Sequence, residues 1–287
     1  MRGGTVPITS YHETSMIGSQ ETDEHLKATL ARLEHAYRAL EGTFGTPLPQ
    51  EITTSRGSGV VFRYRQQSDT LLCFLKGVKL ISTLNGALVL LAQGYVQEIS
   101  ALIRIADDCS SDILFMLLPA NGDKPSQDQD RFFEEFYQEE FDDPARPLGA
   151  NNKRDVVPRK SVFSAFARLV QAHLNPSDAQ SAMATIHKAF SGFVHGAYPH
   201  IMELYGGQPP KYHMSGMAGT PKEAEARKQL IAEIYRAIMV SELVSRKLGM
   251  EDVRLSIRAL LQEYEIRFDI KPKESAEALM RNVKKNA

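Results

Sequence analysis

The chain has 287 residues, of which 43% are hydrophobic, and its formal net charge is −1. This length and composition suffice for a packed core in one large domain or two small ones. The near-neutral charge disfavours a globally basic nucleic-acid binder. The two cysteines, Cys73 and Cys109, are too few for a disulfide scaffold and lack the paired spacing of a zinc site.

The N-terminal part of the chain is predicted to be a tail followed by a helix. Residues 1–18 are rich in Gly, Thr and Ser without hydrophobic periodicity, which predicts a disordered tail. That stretch has no apolar segment typical of a signal peptide, and no apolar run elsewhere reaches the roughly 20 residues that span a bilayer. Apolar residues then recur at helical spacing from Leu26 to Leu40, which predicts a helix over residues 20–41. We therefore expect a cytoplasmic protein without a membrane span.

Two long apolar helices are predicted next. Residues 43–67 are predicted to be a loop, in which residues 59–65 form at most one short strand without an obvious partner. Residues 69–93, capped by Ser68 or Asp69, are apolar on nearly all sides, which is typical of the central helix of a bundle. Gly94 separates this helix from a second one over residues 95–118.

The rest of the chain reads as amphipathic helices joined by Gly- and Pro-rich breaks. The predicted helices cover residues 131–141, 159–174, 176–194, 221–248, 251–268 and 272–286. Asn175 and Thr220 precede prolines and are predicted N-caps, and Glu223 stands at the capping-box position of the helix that follows Thr220.

Together these elements predict an all-α helical bundle. The long helices 69–93 and 95–118 are expected to pack against residues 176–195. The expected organisation is a tail (1–18), a bundle core (19–205) and a C-terminal helical region packed on that core (206–287).

A few polar residues stand out within the apolar helices. Arg104 and Asp108 are four residues apart, so they share one helix face, and apolar neighbours leave Arg104 little solvated surface. They form either an ion pair at a partly exposed edge or a charged group aimed into a cleft. His195, between Val194 and Gly196 at a helix end, is either an acid, base or ligand, or a structural histidine that bonds a neighbouring carbonyl.

A second arginine and histidine pair, Arg168 and His173, matches the spacing of HEPN ribonucleases. In that chemistry the histidine helps a ribose 2′-hydroxyl attack the adjacent phosphate, and the arginine stabilises the developing charge. The spacing is short enough to occur by chance, and an edge pair on a helix is the other interpretation. None of the eight histidines has a glutamate three residues before it, as a di-metal bundle requires, so neither a metal nor a cofactor is expected.

Two segments carry a resemblance to a known family. The stretch LLAQGYVQEISALIRIADD and the later FSGFVHG resemble bacterial HEPN-like helical proteins, over about residues 20–205. The matched positions are Gly94, Glu98, Arg104, Asp108, Ser191 and His195. Asp108 departs from the glutamate expected there. The resemblance implies an HEPN-like bundle core with additional C-terminal helices, and a homodimer with sites at its interface.

Three functional hypotheses follow. The first is a non-catalytic scaffold or partner-binding protein, in which Arg104, Asp108 and His195 form a structural network. The second is a metal-independent HEPN-type ribonuclease or nucleotide-directed enzyme, for instance in a toxin or phage-defence setting. There the same three residues act on RNA or a nucleotide, with Arg168 and His173 as the alternate pair. The third is small-molecule binding in an apolar pocket lined by Phe, Met and Tyr.

Overall fold

The structure, a computed structural model, describes residues 9–44, 49–53, 60–118, 124–139, 156–170 and 175–270. These residues form an all-α helical bundle, as predicted. Their helices are α1 (Thr9–Glu41), α2 (Asp69–Leu91), α3 (Val96–Leu117), α4 (Gln127–Tyr137), α5 (Arg159–Val170), α6 (Pro176–Val194), α7 (Tyr198–Met202), α8 (Pro221–Lys247) and α9 (Glu251–Arg267). Two short antiparallel hairpins accompany them, β1 (Gln50–Thr53) with β2 (Val60–Arg63), and β3 (Tyr205–Gly206) with β4 (Lys211–Tyr212).

Helix α2 lies at the centre of the bundle. Ser68 caps it, since its hydroxyl accepts a hydrogen bond from the Leu71 N–H at 3.1 Å. It packs against α1, α3 and α8, and it buries Leu72, Leu80 and Leu84 completely. Among the described residues, α2 is the one helix long and apolar enough in composition to cross a membrane. The same composition suits a helix that has neighbours on several sides.

The main apolar core joins the two halves of the chain. One continuous cluster contains Leu30 of α1, Leu84 of α2, Ile99 of α3, Leu230 of α8 and Tyr264 of α9, all fully buried. Helices α8 and α9 are therefore part of the core itself, so the apolar interior continues across the boundary expected after residue 205.

The turn between α2 and α3 fixes the start of α3 against the loop that precedes α8. Gly94 has a φ of +72°, and its carbonyl accepts a hydrogen bond from the Met217 N–H at 2.7 Å. A Cβ at Gly94 would lie 2.2 Å from the backbone nitrogen of Ala218. Only glycine allows both this backbone conformation and this approach.

The first hairpin is a correction to the predicted loop over residues 43–67. Strand β2 falls in the segment expected to have no partner, but Gln50–Thr53 pairs with it, with Gln50 opposite Arg63. Two strands of four residues each carry too little alternation to be recognised from the sequence.

Two helices begin earlier than predicted. Helix α1 begins at Thr9, so helical backbone covers part of the expected tail, and residues 1–8 lie outside the described residues. Adding residues to an existing helix is easy compared with starting one. Helix α4 begins at Gln127 because Ser126 and Gln129 form a capping box. The helix predicted over residues 272–286 lies outside the described residues.

Candidate functional site

Helix α3 presents charged residues on two faces near the middle of the bundle. Arg104, Asp108 and Asp112 are spaced four residues apart and lie in one row, whereas Asp107 faces a neighbouring direction. Asp107 and Asp112 are buried. Because an unpaired buried carboxylate is strongly unfavourable, cations from other helices are required at both faces.

Two cations meet Asp112. The Lys76 ammonium of α2 lies 2.7 Å from Oδ2, and the Arg159 guanidinium of α5 donates a hydrogen bond to Oδ1. Arg159 also lies 2.5 Å from Asp108, through its Nη2. The Lys76 ammonium sits over the Phe132 ring, 5.7 Å from its centroid, so an aromatic face supplies further favourable contact with the charge.

Arg104 joins α3 to α6. Its guanidinium forms an ion pair with Asp108 and a hydrogen bond with His187 Nε2. A guanidinium can only donate, so His187 Nε2 is the acceptor and its ring proton is assigned to Nδ1. Burial and then the positive charge of Arg104 lower the pKa of His187, which favours the neutral imidazole. We call these six residues the α3 cluster: Lys76, Arg104, Asp108, Asp112, Arg159 and His187.

A second charged group lies where α3 meets α8. Arg236 pairs with Asp107 and lies 3.6 Å from Glu233, so one guanidinium serves two carboxylates. Burial raises the pKa of Glu233 to about 7, and the nearby Asp107 carboxylate adds to the rise while Arg236 opposes it. We call Asp107, Glu233 and Arg236 the α3–α8 triad.

The structure brings Arg104 and Asp108 together but places His195 elsewhere. His195 is exposed at the C-cap of α6, and its backbone N–H donates to the Ser191 carbonyl at 3.1 Å. It follows His187 by about 12 Å along the helix axis. The histidine beside Arg104 is therefore His187, which corrects the expected trio.

Of the other predicted charged positions, only Glu98 has a described side chain, and it is not part of the cluster. Glu98 is exposed on α3. The side chain of Arg168 and the whole of His173 lie outside the described residues, so the alternate pair stays a prediction.

Sequence reasoning missed four members of the cluster. Asp112 was detectable, because it repeats the four-residue spacing that links Arg104 to Asp108. Lys76 is one of two lysines within the most apolar helix, which is also a signal. Arg159 and His187 carry no such mark, since their roles depend on how α5 and α6 pack on α3.

Comparison of the sequence with protein-family models, with curated proteins and with solved structures finds no match.

The α3 cluster combines a neutral imidazole with three cations and two carboxylates. Cys109, beside it on α3, is not a nucleophile at neutral pH, because burial raises the pKa of its thiol to about 11. Within the described residues, no group of three or more His, Cys, Asp or Glu side chains is placed to hold a metal ion. The chemistry open to these side chains is charge pairing, proton transfer by His187, and stabilisation of an anion by arginine.

Proposed function

We propose that this chain is a non-catalytic scaffold or partner-binding protein, and that the α3 cluster serves to hold its helices together. The observation that supports this is the pairing of each aspartate with a cation from another helix. Asp112 pairs with Lys76 of α2, Asp108 with Arg159 of α5, and Asp107 with Arg236 of α8. The charges thereby connect three helices, α2, α5 and α8, to α3.

Two histidine variants on one helix test this proposal. His187→Ala removes the acceptor for Arg104 and is expected to lower the free energy of unfolding by about 1–3 kcal/mol. His195→Ala, a matched control at an exposed position, is expected to change it by less than about 0.5 kcal/mol. Chemical denaturation of both variants and the parent measures the difference. Equal stabilities for the two variants would contradict a structural role for the cluster.

A second candidate function is a metal-independent ribonuclease or nucleotide-directed enzyme of HEPN type, and the contact between Arg104 and His187 favours it. Once a phosphate draws the Arg104 guanidinium away from His187, the freed Nε2 of the neutral imidazole can accept the proton of a ribose 2′-hydroxyl, and the guanidinium can stabilise the charge that develops on the phosphate. Nε of Arg104 and Nε of Arg159 are buried and have no acceptor among the described residues, so a phosphate oxygen could fill that place. A cytoplasmic homodimer in toxin or phage defence is the setting we propose for this alternative.

Cleavage of single-stranded RNA in the presence of EDTA tests the enzyme. The expected result for this candidate is activity that survives EDTA, persists in His195→Ala and disappears in His187→Ala. The 2′,3′-cyclic phosphate on the product identifies attack by the 2′-hydroxyl. Absence of cleavage by the folded parent protein would leave the scaffold as the function, and sedimentation velocity reports the oligomeric state in the same preparation.

A further inference from the structure

A large open groove lies on the side of α2 away from the α3 cluster. It is formed by α1, α2, α4 and strand β2, and its volume is about 1240 Å³. Small-molecule pockets commonly occupy roughly 300–1,000 Å³, so the groove is large enough for a drug-sized molecule. No side chain of the α3 cluster lines it, although the Lys76 ammonium lies 5.4 Å from the centroid of Phe136, a ring that does.

Aromatic rings dominate the lining of the groove. Six come from four different elements or their flanks: Tyr37, Phe62, Tyr64, Phe74, Phe136 and Tyr137. Some of them support each other, since Tyr37 and Phe74 stack with centroids 5.7 Å apart, and Phe136 meets Tyr137 edge-on at 4.9 Å. The floor includes Val78 of α2, which is 43% exposed although it belongs to the most apolar helix of the bundle. Such an exposed apolar surface indicates a binding site.

The charges on the rim are unbalanced. Glu34 pairs with Arg38 at 2.6 Å, and Arg63 holds Glu139 by two hydrogen bonds. Glu41 also lines the groove, and no cation among the described residues pairs with it. Within the part of the chain that the structure describes, the rim thus presents the Glu41 carboxylate without a counter-ion, beside a surface of aromatic faces.

These features together select the charge of the ligand. Aromatic faces carry negative potential and attract cations, and the Glu41 carboxylate adds attraction of the same sign. We propose that the groove binds a lipophilic cation, such as a hydrophobic amine or a quaternary onium ion, with its apolar groups against α2 and its charge toward Glu41. An anion of the same shape could make the same apolar contacts, but the aromatic faces and the Glu41 carboxylate would repel its charge.

Two ions of nearly equal size and opposite charge test the proposal. Isothermal titration of the full chain with tetraphenylphosphonium and with tetraphenylborate measures each affinity. We expect the phosphonium ion to bind about tenfold more tightly than the borate ion. Equal affinities, or tighter binding of the borate, would overturn the charge preference.

Three variants assign the binding to this groove. Glu41→Gln is expected to weaken phosphonium binding by about threefold to fivefold, an effect that salt should reduce. Glu24→Gln removes the same charge from α1 outside the groove lining, and it should leave the affinity unchanged. Val78→Trp fills the floor from an exposed position, so it should weaken both ions without loss of the fold. Phosphonium affinity that is unaffected by Val78→Trp, or lowered equally by both glutamate variants, would refute binding in the groove.

Discussion

Glu233→Gln is expected to stabilise the protein at high pH, although it removes a group from an ionic network. The Glu233 side chain is almost fully buried, and Arg236 lies 3.6 Å away but is shared with Asp107. These surroundings raise the pKa of Glu233 from 4.5 to about 7. At about 1.4 kcal/mol per pKa unit, ionised Glu233 costs roughly 3 kcal/mol of stability.

The sign follows from proton counting. Between pH 4.5 and 7 the folded protein keeps the proton on Glu233 and the unfolded chain loses it, so this group lowers stability as pH rises through that range. Glutamine resembles the protonated acid at every pH. The variant should therefore exceed the parent by roughly 3 kcal/mol at pH 8 and by about 1 kcal/mol at pH 5. Groups that both proteins share, such as His187, titrate in the same way in each, so their contributions cancel when the two free energies of unfolding are subtracted.

Urea denaturation of both proteins from pH 5 to pH 8 measures this difference. Glu242→Gln is the matched control, since Glu242 is also buried on α8 but lies 3.0 Å from Arg254 and 3.2 Å from Arg258. Removing that carboxylate leaves Arg258 without its partner among the described residues and leaves Arg254 with Glu251 alone, so it should destabilise the protein. Loss of stability in Glu233→Gln at pH 8, or a gain that does not change with pH, would refute the reasoning.

Two further pairs of variants test the packing around α3. Gly94→Ala forces a side chain into the backbone of Ala218 at an unfavourable φ. Gly249 has a similar φ of +69° but no neighbour within 4 Å, so Gly249→Ala is the control and should lower the free energy of unfolding by roughly 1 kcal/mol. Thermal denaturation should show a much larger loss of stability for Gly94→Ala. Asp112→Asn leaves Lys76 and Arg159 without a shared carboxylate and should cost about 3–5 kcal/mol. Asp128→Asn removes a carboxylate from a more solvated, partly exposed pair and should cost less than about 1 kcal/mol. Equal losses within either pair, in the same denaturation assay, would argue against the described packing.

The long helices could be predicted because their signals are local. The apolar pattern of α2, its Ser68 cap and the break at Gly94 all lie within one stretch of sequence, and the structure confirms each of them. Asn175 likewise caps α6 through a hydrogen bond from the Ser177 N–H. The predicted capping box at Thr220 was wrong: its hydroxyl donates to the Met217 carbonyl, and Glu223 accepts from the Gly219 N–H instead.

Only the part of the site that lies on a single helix could be predicted from the sequence. The spacing within α3 placed Arg104 beside Asp108 correctly. The histidine that contacts Arg104 is His187 rather than His195, two helical turns away, because the axial offset between α3 and α6 is set by their packing and leaves no mark in either sequence. An apolar pocket lined by Phe, Met and Tyr was one of the hypotheses, but the position of the aromatic groove could not be predicted, since its rings come from segments far apart in the chain.

The shared core has a consequence for synthesis of the chain from its N-terminus. Helix α2 emerges early, but one of its main neighbours, α8, is complete only at Lys247. Until then the most apolar helix of the protein keeps part of its surface open to water, to chaperones and to other nascent chains. A ribosome that stalls after residue 205 would therefore release a product with α2 and α3 partly uncovered and with Asp107 lacking its arginine. Such a fragment should aggregate rather than persist as a small folded domain.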